Sequence, residues 1–241
     1  MANIYLSNGQ SIKSSKNVYY RVLEFLGNGA NAYAYRCLCT SGVFRGIEFV
    51  IKLQYNLSTE IRRQRFFRET EFLSSCSHPA ILTQYDNGSF ITTQETFPFI
   101  VTNLMPETLA TKLASADISF KAKMKYACQL LSAIAFLQSQ GIIHRDIKPK
   151  NIFLSNQNVV LGDFGLIKRI GVDDKEIRED DIDLINSTVM NNKLGYAAMA
   201  RYYRTPELVN YANNLDSLHI ESDVFQLGLV LAELFTGVNP L

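Results

Sequence analysis

The chain has 241 residues, 47% of them hydrophobic and 20% charged, with a formal net charge of +1 from 24 basic and 23 acidic side chains. That length makes one large domain or two lobes with a sizeable core, and a charge so near neutrality speaks against nucleic acid or an anionic membrane surface as the main partner. No apolar run approaches the roughly 20 residues of a spanning helix. The opening Met1-Ala2-Asn3-Ile4-Tyr5 lacks the basic region and apolar core of a signal peptide, so a cytoplasmic location is expected. The four cysteines, Cys37, Cys39, Cys76 and Cys128, show no metal-ligand spacing and are read as reduced.

Residues 1–18, rich in Ser, Asn and Lys, are read as a peripheral N-terminal extension with a turn at Asn8-Gly9. Tyr19 to Leu26 is dense in β-formers and predicts a strand. It runs into Gly27-Asn28-Gly29-Ala30-Asn31-Ala32-Tyr33-Ala34, where glycine lets backbone N–H groups close over phosphate oxygens. Ala34 to Cys39 predicts the second strand, Thr40-Ser41-Gly42 a turn, and Ile47 to Lys52 the third strand. Lys52 is a single charge at the end of an apolar run, so it calls for an anion and a carboxylate nearby. Glu60 to Ser75 reads as a helix with Phe66 and Leu73 on its apolar stripe. Phe97 to Met105 follows as a strand and connector, then a short helix from Glu107 to Ala114. Ser119 is a candidate N-cap for a long helix ending at Gly141, with Met124, Ala127, Cys128, Leu131, Ile134, Ala135 and Leu137 as its core stripe. Ile152–Leu154 and Val159–Leu161 predict a strand pair around Asn156-Gln157-Asn158. Ser222-Asp223-Val224-Phe225 opens a last, strongly apolar helix ending at Thr236-Gly237.

The chemistry lies in His144-Arg145-Asp146-Ile147-Lys148-Pro149-Lys150-Asn151, which reads H-R-D-x-x-x-x-N, followed twelve residues after Asn151 by Asp163-Phe164-Gly165. Phosphoryl transfer needs an oriented hydroxyl, metal ions bridging phosphates and positive charge on the transferred group. Asp146 can take or orient the hydroxyl proton. Asn151 and Asp163 offer hard oxygen ligands suited to Mg²⁺.

From residue 19 onward these motifs resemble the eukaryotic-type (Hanks-type) protein kinases of the serine/threonine branch, and a bacterial member would suit them. The resemblance implies an α+β, bilobal fold. Residues 19–104 would form a small lobe of antiparallel sheet with one helix. Residues 105–241 would form a mainly helical large lobe, cut short after the Asp223 helix. It implies ATP and Mg²⁺ as cofactors, with Mn²⁺ as a substitute. The nucleotide would meet Gly27, Asn28, Gly29, Ala30, Ala34, Val50, Lys52, Thr102, Asn103, Leu104, Met105, Phe153 and Asp163, with Asn151 and Asp163 on the metal. Thr102 matches the gatekeeper position, and Leu104 and Met105 would offer backbone groups to the purine. Lys52 matches the phosphate-binding lysine. Counting back from His78-Pro79-Ala80-Ile81 places Glu69 as its ion-pair partner, with Glu71, on another helix face, as the alternative. Lys148 matches the serine/threonine branch and would neutralise charge on the transferred phosphoryl. Asp146, Lys148, Asn151, Lys52 and Glu69 form the implied catalytic set, and Asp223 is read as structural.

In the same family Arg145 implies a protein substrate and an activation loop ordered by phosphate, with Ser187 and Thr188 as candidate sites and Tyr196 and Tyr202 behind them. The acidic stretch from Asp173 to Asp183 is read as a solvated linker. Four positions depart from the pattern: Ala32 and Ala34 in the glycine-rich loop, Val50 beneath the adenine, and Ala200 in place of a threonine. Thr205-Pro206-Glu207 resembles A-P-E, and the arginine that pairs with this glutamate would lie beyond Leu241, so a truncated chain is expected. A nucleotide-binding scaffold with little activity stands as the alternative, and a small-molecule kinase as a third reading. The motifs name no particular protein substrate and leave a dimer open.

Overall fold

A computed structural model describes residues 5–29, 31–93, 95–115, 117–155, 158–171, 203, 205, 207 and 219–241. Ala30, the acidic stretch, Ser187, Thr188, Tyr196, Ala200 and Tyr202 lie outside the described residues. The chain forms two compact units, Met1–Ser77 with Leu82–Leu104, and His78–Ile81 with Met105–Leu241.

The first unit is a six-stranded sheet and one helix. Its strands are β1 (Ser11–Lys13), β2 (Tyr19–Asn28), β3 (Ala32–Cys39), β4 (Glu48–Gln54), β5 (Gln84–Ile91) and β6 (Thr96–Asn103), in the order β1-β2-β3-β4-β6-β5. Every neighbouring pair is antiparallel. Side chains alternate across a strand, and here one face is the core: Tyr20 and Val22 from β2, Tyr33, Tyr35, Cys37 and Cys39 from β3, Phe49, Ile51 and Leu53 from β4, Phe97, Phe99 and Val101 from β6. All four cysteines are free. Burial pushes the Cys37 thiol up to about 12, which leaves it inert at neutral pH.

The N-terminal segment is not peripheral. Leu6 and Ile12 are 5% and 2% exposed and belong to the core cluster. After the turn at Asn8-Gly9 the chain enters the sheet as β1, and Ser15 and Lys16 then reach the opposite edge strand. The Ser15 N–H donates to the Asn87 carbonyl at 2.9 Å, the Ser15 hydroxyl donates to the same oxygen at 2.8 Å, and Lys16 Nζ donates to the Tyr85 carbonyl at 3.1 Å. Joining the two edges satisfies backbone groups that an open sheet would leave to water or to another chain. The polar composition of the segment hides two apolar side chains in the right register.

This closure explains Gly88. A Cβ at that position would lie 2.6 Å from a Phe99 ring carbon and 3.0 Å from Ser14 Cα. Gly88→Ala is therefore expected to destabilise the protein by about 1–3 kcal/mol, the usual cost of overpacking a core. Thermal unfolding would read this as a lowered midpoint.

Helix α1 (Glu60–Ser75) is capped by Thr59, whose hydroxyl accepts the Arg62 N–H at 3.3 Å. The same helix buries Phe66, Phe72 and Leu73.

The second unit holds helices α2 (Leu109–Ser115), α3 (Phe120–Ser139) and α4 (Glu221–Thr236), with short strands β7 (Glu107–Thr108), β8 (Ile142–Ile143), β9 (Ile152–Ser155), β10 (Asn158–Leu161) and β11 (Lys168–Arg169). The short helix starts at Leu109 rather than Glu107, because Glu107 and Thr108 pair with Leu154 and Phe153 as a third strand beside β9 and β10. Ser119 caps α3, accepting the Ala122 N–H at 3.3 Å. The face that α3 buries differs from the predicted stripe. Tyr126, Ala127, Leu130, Ala133, Ile134 and Leu137 are buried, whereas Met124, Cys128 and Leu131 are exposed. The apolar arc covers about half the helix circumference at 3.6 residues per turn, and packing takes one side of it. Glycine at 237 ends α4 with φ of 79°, and its N–H donates to the Glu233 carbonyl at 2.8 Å.

Candidate active site

In the first unit, Lys52 sits on β4 opposite Ala34 of β3 and Ile100 of β6, and Val50 sits opposite Thr102. Phe49, Ile51 and Leu53 fill the core, so alternation turns Val50 and Lys52 to the other face of the sheet. Lys52 Nζ lies 2.7 and 3.0 Å from the two carboxylate oxygens of Glu69. Glu69 is 3% exposed, while Glu71 is exposed to solvent, so the helix offers only Glu69 to the lysine. Thr102 is 4% exposed. Asn103 accepts the Thr83 N–H on Oδ1 at 3.3 Å, and Leu104 is half-buried.

The glycine-rich loop has an anchor that no motif marks. The Tyr55 hydroxyl donates to the Gly29 carbonyl at 2.9 Å, the Tyr55 N–H donates to the Asn31 carbonyl at 3.0 Å, and the Tyr55 ring stacks on Tyr33 at 4.2 Å. Gly27 has φ of 153°, a conformation costly for a residue with a Cβ. Tyr55 lies three residues after Lys52, just past the end of β4, where no motif position draws attention to it.

In the second unit, the loop after β8 is held from α4. Asp223 is fully buried and accepts the His144 N–H at 2.7 Å and the Arg145 N–H at 2.9 Å. Burial pushes its carboxyl up, and the two N–H donors oppose that rise. These bonds hold Arg145 in the left-handed region at φ of 68°. Arg145 Nε donates to the Leu166 carbonyl at 2.6 Å. His144 is fully buried, and burial lowers its pKa. Its Nε2 lies 3.1 Å from the Gly162 carbonyl, which can only accept, so Nε2 carries the proton. Nδ1 accepts the Asp146 N–H at 3.3 Å. The ring also meets the buried Phe164 edge-on at 4.8 Å. One neutral imidazole thus ties the Asp146 loop to the Asp163-Phe164-Gly165 turn.

Lys148 Nζ lies 2.7 Å from both oxygens of the Asp146 carboxylate. Asn151 Nδ2 donates to the Asp146 carbonyl and to its Oδ2, both at 2.8 Å. Burial raises the Asp146 carboxyl above its ordinary value, and the Lys148 ammonium and Asn151 amide hold part of that rise back. Asp163 is exposed, with φ of 61°.

The donor set fits a hard divalent cation. Asn151 spends its amide N–H groups on Asp146, which leaves Oδ1 without a donor among the described residues. Among those residues no three His, Cys, Asp or Glu side chains gather into a metal cage. The Asn151 amide oxygen and the Asp163 carboxylate are the groups that could hold such an ion, together with the phosphates of a substrate.

The protein kinase domain family matches residues 20–241. The chain belongs to the protein kinase family.

This kinase domain is 30% identical over 228 residues to a probable serine/threonine-protein kinase of Dictyostelium discoideum, covering 91% of this chain and 12% of that protein. It is 27% identical over 231 residues to a putative serine/threonine-protein kinase/receptor of Acanthamoeba polyphaga mimivirus, covering 90% and 12%. Over 179 residues it is 31% identical to serine/threonine-protein kinase PknB of Mycobacterium tuberculosis, covering 73% and 26%. The chain therefore spans about an eighth to a quarter of the length of these relatives. Among the described residues no helix of the kinase is long and apolar enough to cross a membrane.

Within the second unit the kinase places Met105 and Phe153 as half-buried residues. Glu207 has a buried Oε2 with no hydrogen-bond partner among the described residues. Besides Tyr55, the motifs also left out Gln226, which reaches the Asp146 loop from α4.

Proposed function

We propose that this domain transfers the γ-phosphoryl group of ATP to serine or threonine hydroxyls of proteins. The observation that carries the proposal is the carboxylate of Asp146, held on both oxygens by Lys148 and on one by Asn151. A base locked in this way can take one direction only, toward a hydroxyl presented over it. The hydroxyl oxygen forms a bond to the γ-phosphorus, the bond from that phosphorus to the β-bridging oxygen breaks, ADP leaves, and the hydroxyl proton passes to Asp146. Lys148 meets negative charge on the moving phosphoryl. In the first unit Lys52, oriented by Glu69, would hold the α- and β-phosphates, and the loop from Gly27 to Ala34 would cover them. Ala34, Val50, Thr102, Asn103, Leu104, Met105 and Phe153 would meet the adenosine. A divalent cation, for which Mg²⁺ fits best and Mn²⁺ is a substitute, would be held by Asn151 and Asp163 and would neutralise phosphate charge.

The serine/threonine assignment is supported by Lys148 and by the serine/threonine-protein kinases among the relatives. Control by a phosphate on Ser187 or Thr188 belongs to the same proposal, because Arg145 would supply a cationic partner for it.

The test is labelled ATP with Mg²⁺ added to the purified chain, wild type beside Asp146→Asn, followed by site mapping. Label on serine or threonine in the wild type alone is the expected result, with Ser187 or Thr188 among the sites. ATP-dependent thermal stabilisation without transfer would make the domain a nucleotide-binding scaffold instead. Label on added metabolites and on no protein would make it a small-molecule kinase.

A further inference from the structure

We infer that Gln226 is a positioning residue for Asp146, clamping the backbone on either side of the base. The inference rests on the kinase reading above for its consequence in catalysis, but not for the clamp itself.

Gln226 lies on α4, one turn after Asp223, and is 3% exposed. Its Oε1 accepts the Ile147 N–H at 2.9 Å. Its Nε2 donates to the Arg145 carbonyl at 3.1 Å and to the Tyr203 carbonyl at 2.8 Å. The amide thus accepts one bond and donates two, a combination that among neutral side chains only glutamine or asparagine offers. Asp223 holds the N–H groups of His144 and Arg145. Gln226 holds the carbonyl before Asp146 and the N–H after it. Two side chains three positions apart share one face of a helix, and together they fix the loop up to and past the base.

The third bond extends the clamp. Tyr203 lies two residues before Thr205, and its hydroxyl donates to Glu233, also on α4. The Thr205 hydroxyl bonds to Ser222 at 3.3 Å. A single amide nitrogen therefore joins the residue preceding Asp146 to the segment that ends in Thr205-Pro206-Glu207. A core residue chosen only for volume would be apolar here. A buried amide is kept where its hydrogen bonds set a geometry, because leaving any of them unmade is costly.

The experiment compares the full chain with Gln226→Met, which keeps the length of the side chain and removes all three bonds. In the variant, amide hydrogen exchange at Ile147 is expected to rise by at least about tenfold, since its acceptor is gone, while His144 and Arg145 stay protected by Asp223. The turnover number with ATP and a serine peptide is expected to fall by about tenfold or more with the KM for ATP unchanged, because the ground-state nucleotide contacts are untouched. A variant with wild-type exchange at Ile147, or with wild-type turnover, overturns the inference. So does a variant that folds but loses protection equally at His144, Arg145 and Ile147, since the effect is then not local to the Gln226 bonds. If Gln226→Met does not fold, the wild type alone decides. There, Ile147 should exchange at least about 100-fold more slowly than in an unstructured peptide, and an unprotected Ile147 refutes the bond. A wild type that transfers no phosphoryl yet shows the exchange difference would sink the kinase reading and leave the clamp standing.

Discussion

Asp146→Asn is expected to lower phosphoryl transfer by about 10²–10⁴-fold, the range for removing a positioned general base. Nucleotide binding should stay within about twofold, since the substitution removes a proton acceptor and not a phosphate contact. The side chain keeps its size, and Asn151 can still donate to the Asp146 carbonyl. What disappears is the carboxylate that Lys148 grips on both oxygens at 2.7 Å. Single-turnover transfer beside ATP titration calorimetry checks this, and near-wild-type transfer by the variant would remove Asp146 from its proposed role. The pH dependence has a definite sign. The base must be ionised to act, and burial raises its pKa from the ordinary 3.8. Wild-type turnover should therefore fall as pH decreases through that raised value, on an acid limb lying above the position expected for a free aspartate, and the limb should vanish in Asp146→Asn.

Lys52→Ala carries the second large effect, and it acts on two properties at once. Loss of the phosphate-positioning cation is expected to lower catalytic efficiency by about 10²-fold, the cost of misplacing a reacting group. The substitution also removes an ammonium from beside Glu69, whose side chain is 4% exposed, while that of Lys52 is 27% exposed. The loss of stability should fall below the roughly 3–5 kcal/mol of a fully buried pair, because water screens the lysine side. The double variant Lys52→Met with Glu69→Leu separates the two. It should recover stability, since apolar side chains replace the pair without leaving a buried charge. It should not recover transfer. Thermal unfolding and steady-state kinetics on the three proteins give the comparison, and a double variant with restored turnover would show that the pair serves only the fold.

Much of this molecule can be read along the chain because the constraints are local. Phosphoryl transfer restricts residue types at fixed short spacings, so the run from His144 to Asn151 and the turn at Asp163 stand out without any partner. Strand alternation likewise marks β3, β4 and β6, and the bounds of α1 coincide with its charged, amphipathic stretch. The choice between Glu69 and Glu71 is different in kind. Both suit the helix, and only the direction in which α1 presents its faces brings Glu69 to Lys52. Three further features depend on residues far apart in the chain. Ile12 enters the core because β1 pairs with β2, and Gly88 is required because Ser14 and Phe99 arrive there from two other segments. Gln226 meets Ile147 across 79 positions. No periodicity or motif encodes such meetings, since a polar segment, a strand glycine and a helical glutamine are each unremarkable by composition. Packing selects among the many contacts that local patterning allows: it buries apolar faces, and around the base it brings Asp223 and Gln226 to the N–H groups of His144, Arg145 and Ile147.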